Sequence, residues 1–125
     1  MPTVTVELEE GDKEFEVEEG KRLVLALEDN GVDVSHRCGG FANCTTCRCD
    51  IKEGEPNDMT KAERNILNQN DHFGDFRLSC QIQVEDDLTL TPLNRVSDME
   101  WEEPGPRPED EITPPAEWIL SPQML

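Results

Sequence analysis

Apolar residues recur at every second position at the start of the chain. Val4, Val6 and Leu8 share one face of Thr3–Leu8, and Phe15 and Val17 alternate again after the turn Glu10-Gly11-Asp12. A period of two marks a strand with one buried face, so the spacing predicts an opening hairpin. Glu19-Gly20 breaks it. From Arg22 to Asn30 the period changes, and Leu23, Val24, Leu25 and Leu27 form an apolar stripe on one side of a helix, with Gly31 placed to end it in a left-handed cap. Val32-Asp33-Val34 then leads into a loop that carries cysteines.

Beyond that loop, Cys49-Asp50-Ile51-Lys52 reads as a short strand stopped by Glu53-Gly54-Glu55-Pro56. Thr60-Lys61-Ala62-Glu63 has the spacing of a capping box, in which the Thr60 hydroxyl and the Glu63 carboxylate satisfy free N–H groups at a helix start. A second helix is expected over Lys61–Asn68, with Ile66 and Leu67 inward. Ile82 and Val84 alternate, Glu85-Asp86-Asp87 turns, and Leu88-Thr89-Leu90-Thr91 is expected to close the sheet, a hairpin that sets Cys80 just before a strand. From about Leu93 onward the chain changes character. Pro104, Pro106, Pro108, Pro114, Pro115 and Pro122 exclude long helix or strand, which divides the chain into a domain over 1–93 and an acidic, proline-rich tail over 94–125. Trp101, Trp118-Ile119-Leu120 and Met124-Leu125 are large apolar groups in that polar tail. Such groups tend to be buried, either by the tail folding back on its own domain or by docking on a partner or second copy.

Charge narrows the partners. The 125 residues carry 29 acids and 11 bases, a formal net charge of −18, and residues 93–125 hold eight of those acids and two of the bases. Nucleic acid and anionic membrane surfaces repel such a chain, and no apolar run is long enough to cross a bilayer. Protein partners with basic docking surfaces are favoured, because opposed fields speed encounter; solubility or high-salt adaptation is the alternative meaning of the same charge. Asp58, Glu63, Asp71 and Asp75 are candidate docking acids. Met1-Pro2-Thr3 opens no signal segment, so a cytoplasmic chain is expected.

The chemistry lies in the cysteines. Cys38, Cys44 and Cys47 fall within ten residues of one another, and Cys80 follows well downstream. Three thiolates on one loop and a distant fourth is how a polypeptide wraps a 2Fe-2S cluster, each iron needing two terminal thiolates. Gly39, Gly40, Ala42, Asn43, Thr45 and Thr46 between the ligands are small, which lets the backbone approach an anionic core and point N–H groups at its sulfurs. A zinc site is the leading alternative, although structural zinc usually takes two close pairs of ligands from two turns. A disulfide framework lacks an oxidising compartment, and a Cys44/Cys47 redox dithiol lacks the helix it should open. The fifth cysteine, Cys49, starts the alternation Cys49, Ile51 and reads as a small buried hydrophobe, not a ligand.

Cys38-x5-Cys44-x2-Cys47 followed by Arg77-Leu78-Ser79-Cys80-Gln81 resembles the 2Fe-2S ferredoxins. Five residues in the first gap, where the plant-type pattern has four, is similar to the adrenodoxin-like and bacterial branches, and Cys38-Gly39-Gly40 with Cys44-Thr45-Thr46-Cys47-Arg48 is more similar to bacterial members. The resemblance covers about Thr3 to Leu93. It implies an α+β chain with the β-grasp fold, a mixed sheet packed on one main helix, and a 2Fe-2S cluster held by Cys38, Cys44, Cys47 and Cys80. It further implies a monomeric electron carrier, without catalytic residues, between a ferredoxin reductase and an acceptor enzyme. A redox or iron-sulfur sensor and a zinc-stapled interaction module are the competing classes. Arg37 and Arg48 flank the loop as candidate ion-pair residues. His36 would suit a Rieske-type site only with a second histidine in place of a cysteine, and His72 has no matching cysteine beside it.

Overall fold

The computed structural model describes residues 1–8, 10–32, 47–56, 58–93, 108–112 and 116–120. Strand β1 (Thr3–Val6) buries Val4 and Val6 and leaves Thr3 and Thr5 half-buried, as the alternation requires. Its antiparallel partner β2 (Lys13–Glu16) sets Phe15 opposite Val4. Strand β3 (Lys21–Arg22) runs directly into helix α1 (Leu23–Asp29). Leu23, Val24, Leu25, Ala26 and Leu27 are all buried, so this short helix is apolar on every side and belongs to the core, not to a surface with one greasy stripe. Gly31, at φ +81°, ends it as expected: its N–H donates to the Glu28 carbonyl at 3.1 Å and the Val32 N–H to the Leu27 carbonyl at 2.9 Å.

Strand β4 (Arg48–Glu53) follows the cysteine loop, then β5 (Asp58–Thr60), helix α2 (Lys61–Gln69), β6 (Arg77–Leu78), a 3₁₀ turn (Ser79–Gln81), β7 (Gln83–Val84) and β8 (Leu88–Pro92). The five-stranded sheet has the order β2-β1-β8-β4-β6. It is mixed, because β8 lies parallel to β1 (Val4 opposite Leu88, Val6 opposite Leu90) and antiparallel to β4. This corrects the expected hairpin. Strand β8 lies in the middle of the sheet instead of closing it; with both its edges taken by β1 and β4, β7 pairs with β3 in a separate two-stranded piece.

The capping box forms only in half. The Thr60 Oγ accepts from the Glu63 N–H at 3.1 Å, but the Glu63 carboxylate turns inward to Arg77. Arg77 Nε and Nη2 donate to its two oxygens at 2.7 and 3.1 Å, and the Leu78 N–H adds a third bond at 2.9 Å. Both side chains are buried, so the pair bolts α2 to β6. Burial pushes the Glu63 carboxyl upward, against the pull of Arg77 and the Leu78 N–H.

Two described segments beyond Leu93 pack on the domain. Strand β9 (Trp118–Leu120) pairs antiparallel with β5, Thr60 standing opposite Trp118, and the Lys61 N–H donates to the Glu117 carbonyl at 2.9 Å. Ile112 is buried and Ile119 packs against the core, while Trp118 remains 41% exposed. Trp101, Met124 and Leu125 lie outside the described residues.

Two predictions concern this frame. Gly54, at φ +77°, sits where a Cβ would collide with the Asp87 carbonyl, whereas Gly20, at φ +88°, faces open space. Gly20→Ala should therefore cost only the left-handed backbone strain, about 1–3 kcal/mol, and Gly54→Ala distinctly more in urea unfolding of the same chain. Glu63→Ala leaves a guanidinium buried without its carboxylate and should cost about 3–5 kcal/mol in that assay.

Candidate functional site

Cys80 lies in the 3₁₀ turn between β6 and β7, not at the head of a hairpin strand. Antiparallel pairing of β4 with β6 sets Arg48 opposite Leu78 and Cys49 opposite Arg77, which draws the residues just outside the ladder together. The Cys47 carbonyl there accepts twice from Ser79, from its N–H at 3.0 Å and its Oγ at 2.8 Å. Cys47 and Cys80 are thus held on adjoining backbone although 33 positions separate them, and both are buried, at 2% and 0% exposure. On the opposite edge of β4 the Leu93 N–H donates to the Arg48 carbonyl at 3.1 Å, tying the start of β4 to the end of β8.

Two further groups reach Cys80. The fully buried Arg22 donates from Nε to the Cys80 carbonyl at 2.6 Å, and its Nη1 reaches the Glu109 and Glu111 carbonyls at 2.8 and 3.2 Å. The guanidinium ties one cysteine's backbone to the C-terminal segment. The Gln81 side-chain amide donates to the Cys80 Sγ at 3.6 Å. Sequence reasoning missed the parts that Arg22, Ser79 and Gln81 play here. A signal existed for Arg22, a charged residue immediately before five apolar ones, and for Gln81 in its adjacency to Cys80.

The remaining sequence candidates divide. Cys49 is wholly buried on β4, and burial holds its thiol well above its ordinary range, which keeps it neutral and agrees with a packing role. Asp58, Asp71 and Asp75 are exposed. Glu63 is not available to a partner: it is fully buried against Arg77, a correction that follows from the half-formed capping box. The Arg48 guanidinium stacks over the Phe76 ring at 4.3 Å, and His72 Nδ1 lies 3.3 Å from Asp75. Cys38, Cys44, His36, Arg37 and the small residues Gly39, Gly40, Ala42, Asn43, Thr45 and Thr46 lie outside the described residues.

The described donors fit an iron-sulfur group. Two sulfurs shielded from water, on backbone pinned by several hydrogen bonds, with an amide N–H directed at one of them, are the soft ligands and local dipoles that such a cluster needs. Among the described residues no helix is long and apolar enough to cross a membrane.

Comparison with known proteins accords with this. The family model for the 2Fe-2S iron-sulfur cluster binding domain matches residues 6–85. A component of the Na(+)-translocating NADH-quinone reductase of Shewanella denitrificans is 36% identical over 81 residues, 65% of this chain and 20% of that protein. Its counterpart in a Marinomonas species is 31% identical over 80 residues, 64% of this chain and 19% of that protein. The chain therefore spans about a fifth of the length of these curated relatives. Among solved structures, the ISC-like 2Fe-2S ferredoxin of Pseudomonas putida superposes with a TM-score of 0.61 at 28% identity, covering 76% of this chain and 98% of that one. A ferredoxin of Rhodopseudomonas palustris gives 0.60 at 25% identity, covering 75% and 99%. A chain of the covalent putidaredoxin reductase–putidaredoxin complex gives 0.58 at 27%, covering 74% and 99%. With its mixed sheet, its core helix and its paired buried thiols, this chain has the α+β ferredoxin fold and belongs to the family of 2Fe-2S iron-sulfur cluster binding domains.

Proposed function

We propose that this chain is a single-electron carrier whose 2Fe-2S cluster is held by Cys38, Cys44, Cys47 and Cys80 and which passes electrons from a reductase to an acceptor enzyme. The observation that carries the reading is the pinning of buried Cys47 beside buried Cys80 by two hydrogen bonds from Ser79. Such a cluster, when bound, takes up and releases one electron without making or breaking bonds in a substrate. The chain's own residues then hold, shield and tune. Ser79 and Arg22 fix the backbone at Cys47 and Cys80, the core excludes water from the two sulfurs, and the Gln81 side-chain N–H stabilises negative charge on that of Cys80. A low potential follows, because an electron is added to an anionic centre in a chain of net charge −18, although solvent screens the remote part of that charge.

A reductase partner is supported by the putidaredoxin reductase–putidaredoxin complex among the structural relatives, and electron transfer by the name of the NADH-quinone reductase component. Asp58, and Asp71 and Asp75 on the segment that leads to Cys80, are exposed and provide acidic docking residues for a basic surface on that partner. The chain works as a cytoplasmic monomer and supplies no catalytic groups, its residues serving only the cluster and its partners.

Cys80→Ser should abolish or markedly alter the visible absorption and the reduced-state EPR signal, and Cys49→Ser should leave both nearly intact; the reverse pattern would overturn the ligand set. Reduction by a ferredoxin reductase followed by stopped flow should slow by about tenfold or more as salt screens the encounter. A rate indifferent to ionic strength would remove the docking role from the acidic surface.

A further inference from the structure

A chain of hydrogen bonds runs from the start of α2 to the sulfur of Cys80. Its first member is Thr60, fully buried at the N-terminus of the helix, whose Oγ accepts the Glu63 N–H at 3.1 Å. That bond occupies the hydroxyl as an acceptor, and its one proton must go elsewhere. It goes to the Gln81 Oε1 at 2.7 Å. An amide whose oxygen is taken in this way has its orientation decided: the oxygen faces Thr60, so the NH2 group faces the opposite way. There the Cys80 Sγ lies 3.6 Å from Nε2. Gln81 and Cys80 are both wholly buried, so neither end of the amide can trade its partner for bulk water.

We propose that Gln81 is a positioning residue for the cluster, aimed by Thr60 so that its amide dipole stabilises negative charge arriving on the Cys80 sulfur. The inference rests on the reading of Cys80 as a ligand. Two features make the aim rigid. Thr60 is the N-cap of α2 and cannot rotate its hydroxyl away without orphaning the Glu63 N–H. Its strand β5 is also backed by β9, Thr60 opposite Trp118, so the C-terminal segment holds the element from which the relay starts. Donation from Thr60 to the amide oxygen polarises the amide and strengthens its N–H as a donor. A donor to a ligating sulfur stabilises the reduced, more negative state over the oxidised one, and its removal lowers the potential.

Redox titration of the full iron-loaded chain, followed by visible absorption and EPR, tests this. Gln81→Met keeps much of the volume and removes the donor; the midpoint should fall, the reduced-to-oxidised ratio at the wild-type midpoint dropping roughly tenfold, which is about 59 mV for one electron. Thr60→Val frees the amide and should move the midpoint the same way, and Thr60→Ser, which keeps the hydroxyl, should restore it. If Gln81→Met takes up no cluster, the Thr60 pair carries the test alone. Cluster-loaded variants with the wild-type midpoint, altered only in thermal stability, would reduce Gln81 and Thr60 to packing residues and overturn the proposal. A wild-type chain that binds no iron-sulfur cluster would strike the ligand reading instead, and this inference with it.

Discussion

Ser79 donates two hydrogen bonds to the carbonyl of Cys47, and through them the chain just before β4 is tied to a turn more than thirty residues further on. The constraint is geometric. A cluster ligand must present its sulfur within a few tenths of an ångström of one position, and closing a loop of that length on a flexible element would forfeit the metal bonds to entropy. The sheet supplies the rigidity. Strand β4 starts one residue after Cys47, β6 ends two residues before Cys80, and their antiparallel register leaves the Ser79 N–H facing the Cys47 carbonyl. Strand β8, central and parallel to β1, then joins this end of the molecule to the opening hairpin.

The second constraint is electrostatic. In a chain where acids exceed bases by 18, Arg22 and Arg77 are the arginines buried among the described residues, and both serve the segment around Cys80. Arg77 is neutralised by Glu63 and also donates to the Asp58 carbonyl at 3.0 Å, so it fixes β6 against α2 and β5. Arg22 binds the Cys80 carbonyl and two carbonyls of the C-terminal segment. Burying a guanidinium is costly, and it is tolerated here because main-chain carbonyls receive both and the Glu63 carboxylate faces Arg77. An anionic cluster held by Cys80, as proposed, would add to the charge complementarity on that side. Surface acidity and buried basicity are thus separated: the acids lie mostly outside, and the two buried arginines fix the backbone around Cys80.

Much of this was legible in the residues. Alternation in Val4, Val6 and Leu8, the apolar run before Gly31, and Thr60 at the head of α2 all appear where period and capping chemistry put them. The strand pairing was not, because a period of two tells which face of Leu88-Thr89-Leu90 is buried and says nothing of which strands take its two edges. Glu63 misled for a related reason. A glutamate three residues after a threonine suits a capping box, an exposed acid and a buried ion pair equally well, and only the arrival of Arg77 from fourteen residues away decides among them. The described part of the tail was half legible: Ile119 is packed against the core, yet the anchor that Arg22 gives to residues 109 and 111 uses main-chain carbonyls, which carry no side-chain signature. The spacing of the four cysteines was the clearest mark in the chain, and Cys47 and Cys80 are the members whose surroundings the structure describes.

Everything else depends on the nature of the group held by those sulfurs. Analysis of iron, zinc and acid-labile sulfide in freshly purified full-length protein, with EPR of a reduced sample, tests it most directly. Iron and sulfide in equal amounts, and a rhombic signal integrating to one electron per cluster, are the predicted result. Stoichiometric zinc, no sulfide and no signal on reduction would contradict it.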